Sequence, residues 1–159
     1  MLERILFILT FAAAIGSGLV AGIFFAFSSF VMAALGRILP EQGIATMQSI
    51  NVTVLNPGFL IAFLGTGAVC VALVAGSYVW WGEASGKLIL AASLIYLTGC
   101  IGVTMVCNVP LNDALAAVRP NTPEAAAVWS NYLTLWTGWN HLRTVAPLLS
   151  AILFMAALV

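Results

Sequence analysis

Long apolar stretches, separated by shorter polar connections, are the main pattern along this chain of 159 residues. A helix needs about 20 apolar residues to cross the hydrocarbon core of a membrane. Four stretches are long enough, and they cover residues 5–35, 57–79, 87–107 and 139–159. The pattern therefore predicts an all-α integral membrane protein, a four-helix bundle in which residues 1–159 form a single domain.

The fourth stretch ends a longer helical pattern that begins near Pro123. At about 1.5 Å per residue this pattern would measure about 55 Å, against about 30 Å for the hydrocarbon core. We therefore expect a long fourth helix that is extended beyond the bilayer on its N-terminal side. The third helix should stop near Pro110, and the first connection carries a short helical pattern over residues 41–50.

Composition indicates which partners this surface meets. Apolar residues make up 63% of the chain and charged residues 6%, whereas soluble domains carry about 25% charged residues. Membrane lipid is therefore the expected surroundings, with a multi-pass location in the cell membrane. The formal net charge is zero and no basic stripe is present, which argues against binding to nucleic acid. Gly18 and Gly22 form a small-residue pair that we expect to pack within the protein; the alternative is that the pair forms the contact between two copies in a homo-oligomer.

Polar side chains are expensive at membrane depth, so their positions are informative. With four spans, the first and third connections lie at the same end of the bundle. Eight polar residues fall in or beside that end: Asn51, Asn56, Asn108, Asn112, Asp113, Asn140, His141 and Arg143. We predict that they converge on a site there.

An aromatic stripe leads into the fourth span. Its members fall at offsets 0, 3, 7 and 10 and so share one helix face: Trp129, Tyr132, Trp136 and Trp139. Asn140 and Arg143 extend the same stripe. Anchoring at the membrane interface explains such tryptophans without a ligand, while stacking of a planar aromatic molecule would use the same geometry.

His141 is the single histidine of the chain. It is either a helix-packing residue or a general base, since imidazole titrates near neutral pH. Arg143 either stabilises an oxyanion or forms a structural pair with Asp113. One histidine supplies neither a bis-histidine haem site nor a three-histidine metal site in a monomer, so we expect no metal.

Four blocks of the sequence resemble the anthrone oxygenase-like family of small membrane proteins. They are residues 18–28, residues 47–51 followed by Asn56 and Pro57, residues 108–113 (NVPLND) and residues 129–144, which end in WNHLRT. The resemblance implies four spans. For some members it implies oxygenation of an anthrone to an anthraquinone without flavin, haem or metal.

We therefore expect a cofactor-independent oxygenase for a planar, hydrophobic, aromatic small molecule. His141 would be the base, and Arg143 and Asn140 would hold the oxyanion. The substrate would be surrounded by the remaining site residues: Trp136, Trp139, Tyr132, Asn108, Asn112, Asp113 and Asn51. The alternative is a non-catalytic membrane protein that binds a lipid or quinone-like ligand or assists a partner.

Overall fold

The computed structural model describes residues 1–80 and 83–159, and within these ranges the chain is helical without strands. We number its five helices in chain order: α1 Leu2–Leu35, α2 Pro40–Thr53, α3 Pro57–Gly76, α4 Ala84–Ala116 and α5 Pro123–Ala157. The prediction of an all-α protein is confirmed. The short helix expected in the first connection is α2.

Local sequence signals explain where three helices begin. Proline opens α2, α3 and α5, where the missing N–H costs nothing because the first helical turn has no internal acceptor. Asn56 caps α3 by accepting a hydrogen bond from the Phe59 N–H at 3.1 Å. Thr122 caps α5 in the same way, accepting from the Ala125 N–H at 3.3 Å.

Among the described residues, three helices are long and apolar enough to cross a membrane: α1, α3 and α4. Helix α5 is 35 residues long and continuous, but Asn140, His141 and Arg143 interrupt its apolar half and lower its hydropathy. These findings identify a membrane-type protein with several apolar helices.

Four helices surround one apolar core. Helix α1 packs along α5, α5 along α4, α4 along α3, and α3 along α1. Close approach between helices occurs at glycines: a Cβ on Gly99 would lie 2.5 Å from the Ala146 Cβ, and one on Gly16 would collide with Thr66.

The expectation that Gly18 and Gly22 pack within the protein is wrong. A Cβ at either position would meet nothing within 4 Å, and both residues are exposed. Helix α1 is apolar on all sides, so its sequence does not reveal which of its glycines face the core. Pairing with a second copy stays a prediction.

A second cluster of buried side chains lies at the end of the molecule where α2 packs. It joins the end of α1, helix α2, the end of α4 and the first half of α5 through Met32, Met47, Leu115 and Trp129. Gln48 on α2 donates to the carbonyl oxygens of Leu115 and Val118 at 2.8 and 3.0 Å. The first and third connections therefore lie at the same end, as the parity of the spans predicts.

Helix α4 continues past Pro110 to Ala116, so the expected stop near Pro110 is wrong. The preceding turn, Thr104–Asn108, is π-helical, and the Val109 N–H donates to Thr104 O, five residues back. A proline inside an ordinary α-helix clashes with the carbonyl four residues earlier. The wider turn relieves that clash and lets the helix continue.

Candidate functional site

A buried guanidinium lies at the centre of the polar side chains. Arg143 is 5% exposed, and its Cζ lies 4.2 Å from the centroid of the Phe24 ring and 4.6 Å from that of Trp136. Its Nε donates to Asn140 Oδ1 at 3.0 Å, and its Nη1 donates to Thr104 Oγ1 at 3.5 Å. Aromatic faces attract a cation, so the two rings hold the charge in place.

The groups that contact this guanidinium are neutral: two aromatic rings, an amide and a hydroxyl. In the described part of the chain no carboxylate pairs with Arg143, and Asp113, its predicted structural partner, is exposed. Burial of a charge without a counter-charge lowers the free energy of unfolding by on the order of several kcal/mol. Ionisable groups placed in this way inside a membrane protein mark functional sites by default.

Asn140 connects Arg143 to helix α1. This side chain is fully buried, and its Nδ2 donates to Phe24 O at 2.8 Å and to Ser28 Oγ at 2.7 Å. Thr144 donates to Asn140 O at 2.7 Å and also lies 3.0 Å from Ser28 Oγ. Because the Thr144 hydrogen is already engaged, Ser28 is the donor in the second contact. A hydrogen-bonded chain therefore runs from Arg143 through Asn140 to Ser28.

Two π-helical turns contribute residues to this network. Ser28 lies in the turn Phe27–Val31 of α1, and Thr104 and Asn108 lie in the turn Thr104–Asn108 of α4. An extra residue in a turn rotates the side chains that follow it, and such turns are frequent at functional sites. The widened turns face the polar side of α5.

The aromatic stripe of α5 is a stack buried in the protein. Trp129, Tyr132 and Trp136 lie with consecutive ring centroids 5.7 Å apart and interplanar angles of 15° and 20°. Asn112 Oδ1 accepts from the Tyr132 hydroxyl and from Trp136 Nε1, each at 2.8 Å. Asn51 Nδ2 donates to the Tyr132 oxygen at 3.5 Å.

The protonation of Tyr132 follows from its burial. Loss of water raises the pKa of its phenol, and this outweighs the opposing effects of the Asn51 hydrogen bond and the Arg143 charge. The hydroxyl is therefore neutral at physiological pH and donates to Asn112, so Tyr132 is a poor candidate for a base.

Asn108 lies between this stack and the Arg143 network. It is fully buried, and its Nδ2 donates to Trp136 O at 3.1 Å. Its Oδ1 is buried and has no hydrogen-bond partner among the residues that the structure describes.

The structure brings most of the predicted site residues together. Those that converge are Asn51, Asn108, Asn112, Tyr132, Trp136, Asn140 and Arg143. His141 and Asp113 are exposed, Trp139 is 41% exposed, and Asn56 serves as the cap of α3. The roles predicted for His141, Asp113 and Trp139 stay predictions.

Sequence reasoning missed several members of the network. Ser28, Thr104 and Thr144 bond Asn140 or Arg143, and the Phe24 ring contacts the guanidinium. Their signal was available, because a hydroxyl within an apolar helix needs a partner inside the protein. Pairing these hydroxyls with Arg143 required knowledge of how the helices are rotated against one another.

Fold and site together define a class: an all-helical membrane-type protein with a buried cation that no carboxylate pairs with in the described part of the chain. Comparison with known families matches residues 59–153 to the anthrone oxygenase family. That match covers more than half of the chain and includes Arg143, Asn140 and the aromatic stack. The chain therefore belongs to the anthrone oxygenase family. Searches of curated proteins and of solved structures each gave no match.

Proposed function

We propose that this protein is a membrane-embedded oxygenase that acts on a planar, hydrophobic, anthrone-like molecule with an acidic C–H bond. The observation that carries the proposal is the Arg143 guanidinium, which is buried without a carboxylate and linked through Asn140 to Ser28. Such a charge is held ready for a negative charge that forms during a reaction, as in oxyanion holes.

The membrane arrangement that we propose has four spans in the cell membrane. The second half of α5 packs between α1 and α4, and its Ala151 and Phe154 are buried there. Since α1 and α4 each have the length and apolarity of a span, residues 139–159 would lie at the same depth. The first half of α5 packs with α2. Because the helix rises about 1.5 Å per residue, all of α5 is longer than the hydrocarbon core is thick, and its first half would project beyond the core.

The reaction balances without a further reductant. A base removes a proton from the methylene of the substrate, which leaves a carbanion whose charge is delocalised onto the carbonyl oxygen of the ring system. The carbanion passes electrons to O₂. Both C–H bonds of the methylene are lost, one oxygen atom becomes the new carbonyl oxygen, and the other leaves as water. Protein groups then need to supply deprotonation, stabilisation of the oxyanion and a water-poor site.

His141 is the base in this proposal. Its side chain is exposed, and His141 follows Thr137 by four residues, so the two occupy neighbouring positions on the surface of α5. His141 and Arg143, two residues apart, point to different sides of the helix. Arg143 would therefore act on the substrate through Asn140 and Ser28 rather than by direct contact.

Substitution of the histidine tests the proposal. Oxygen uptake by the purified protein with added anthrone should exceed the spontaneous rate in buffer. His141→Gln should lower the enzymatic part by about 10²–10⁴-fold, which is the usual share of a positioned general base, without lowering thermal stability. A wild-type protein no faster than buffer would rule out this activity. A fully active His141→Gln protein would remove His141 from the mechanism.

A second candidate function is non-catalytic binding of a lipid or quinone-like molecule. The observation that favours it over the oxygenase is the self-contained aromatic stack: Trp129, Tyr132 and Trp136 cover one another and are all buried, which fits a structural role for these rings and not the stacking of a substrate. A planar ligand would not enter this stack without displacing a ring. Ligand binding without oxygen uptake would support this alternative.

A further inference from the structure

A groove lies between the end of α1 and α5, on the side of the helix that also carries His141. Its volume is about 280 Å³, and it is lined by Ser28, Met32, Ala33, Gly36, Leu133 and Thr137. Ligand pockets measure about 300–1,000 Å³, so the groove lies just below that range and would enclose only part of a flat ligand. Its lining is mainly apolar, with Ser28 and Thr137 as its two polar residues.

The Thr137 hydroxyl differs from those of several other threonines in the helices. Thr104, Thr134 and Thr144 each donate to a carbonyl oxygen four residues earlier, at 2.7–3.2 Å. The Thr137 Oγ1 is buried and has no hydrogen-bond partner among the described residues. A buried hydroxyl without a partner is costly. Because Thr137 itself is only partly buried and lines the groove, a turn about its χ1 angle would bring the hydroxyl to an oxygen atom of a molecule in the groove.

Ser28 links the groove to the buried charge. Its oxygen accepts from Asn140 Nδ2, while its own hydrogen points to Thr144 and can turn towards a new acceptor. Asn140 in turn accepts from Arg143 Nε. Hydrogen bonds in a chain polarise one another, so the guanidinium makes the Ser28 hydroxyl a stronger donor to an oxygen in the groove.

We infer that this groove is the substrate seat of the proposed oxygenase, and the inference rests on that proposed function. A flat, apolar ring system lies against Met32, Ala33 and Leu133, and its oxygen accepts hydrogen bonds from Thr137 and Ser28. The substrate class is a polycyclic aromatic ketone or phenol, with His141 at the adjacent helical turn.

Binding of 9,10-anthraquinone, a planar diketone, tests the seat without requiring turnover. Quenching of tryptophan fluorescence is measured with the protein in lipid nanodiscs, and empty nanodiscs correct for partitioning. Ala33→Leu fills the groove, and Ala34→Leu is its control because Ala34 is also exposed but does not line the groove. We expect Ala33→Leu to raise the Kd at least about tenfold, since excess volume in a fitted site is poorly tolerated, and Ala34→Leu to leave it unchanged.

A second pair of variants tests the hydroxyl. Thr137→Val should raise the Kd about fivefold, the value of one ordinary hydrogen bond. Thr134→Val serves as its control, because Thr134 is exposed and bonded to its own helix. Equal affinities within both pairs, or a wild-type protein without saturable binding, would overturn the inference.

The two proposals fail in different ways. If the wild type consumes no oxygen but binds anthraquinone, and Ala33→Leu loses that binding, the result supports the seat and refutes the oxygenase. Full oxygen uptake by Ala33→Leu with unchanged Kd would refute the seat and leave the oxygenase in place.

Discussion

Removal of the Asn140 side chain tests whether the polar network holds α1 and α5 together. Asn140→Ala deletes hydrogen bonds to Phe24 O, to Ser28 Oγ and from Arg143 Nε. Two neutral bonds contribute about 1 kcal/mol each, and the bond with the guanidinium contributes about 2 kcal/mol. Hydrogen bonds between membrane helices measure lower, about 0.6 kcal/mol on average. We therefore expect the free energy of unfolding to fall by about 3 kcal/mol.

The assay is reversible unfolding in mixed detergent micelles, followed by circular dichroism. Asn131→Ala is the matched control, since Asn131 lies on the same helix but is exposed and should change stability by less than about 0.5 kcal/mol. If Asn140→Ala is as stable as Asn131→Ala, the hydrogen-bonded chain from Arg143 to Ser28 does not contribute to the fold as we describe it.

Two further predictions concern packing and protonation. Gly99→Ala should destabilise the protein by about 1–3 kcal/mol because its Cβ would overlap Ala146. Gly138→Ala is the control: its Cβ would meet nothing within 4 Å, so it should stabilise the protein by up to about 1 kcal/mol. Equal melting temperatures of the two variants would contradict the close contact between the helices. Tyr132→Phe should cost about 1 kcal/mol at pH 7 through the lost bond to Asn112. Burial raises the pKa of Tyr132, so the wild type should lose stability as the pH rises above the ordinary tyrosine pKa of about 10. Its stability advantage over Tyr132→Phe should shrink over the same range. A difference in unfolding free energy between the two proteins that stays constant from about pH 7 to 11 would contradict this.

The sequence predicted the polar end of the molecule because polarity in an apolar chain leaves few choices. Asn108, Asn140 and Arg143 had to find partners inside the protein, and the parity of the helices placed those partners at one end. The same reasoning could not predict that Arg143 would form no ion pair with Asp113. That outcome depends on the rotation of α4, which exposes Asp113 and turns Asn112 towards the stack.

Glycines and prolines were less informative than polar residues. Gly18 and Gly22 looked like a packing motif, yet the close contacts occur at Gly16 and Gly99. A helix that is apolar all round has no periodic pattern to orient it. Pro110 looked like a helix end, but the π-helical turn before it removed the clash, and single-residue insertions of this kind leave no clear mark in the sequence.

The central claim is that the unpaired charge of Arg143 drives chemistry on an anthrone-like substrate. Oxygen uptake by Arg143→Met and Arg143→Lys, with purified protein and added anthrone, tests it most directly. Methionine keeps much of the apolar volume without the charge, and lysine keeps the charge without the planar fork. We expect Arg143→Met to lose about 10²-fold of the enzymatic rate and to stay folded, because removal of an unpaired buried charge offsets the lost contacts. Arg143→Lys should retain more activity than Arg143→Met. A folded Arg143→Met protein that consumes oxygen as fast as wild type would contradict the account.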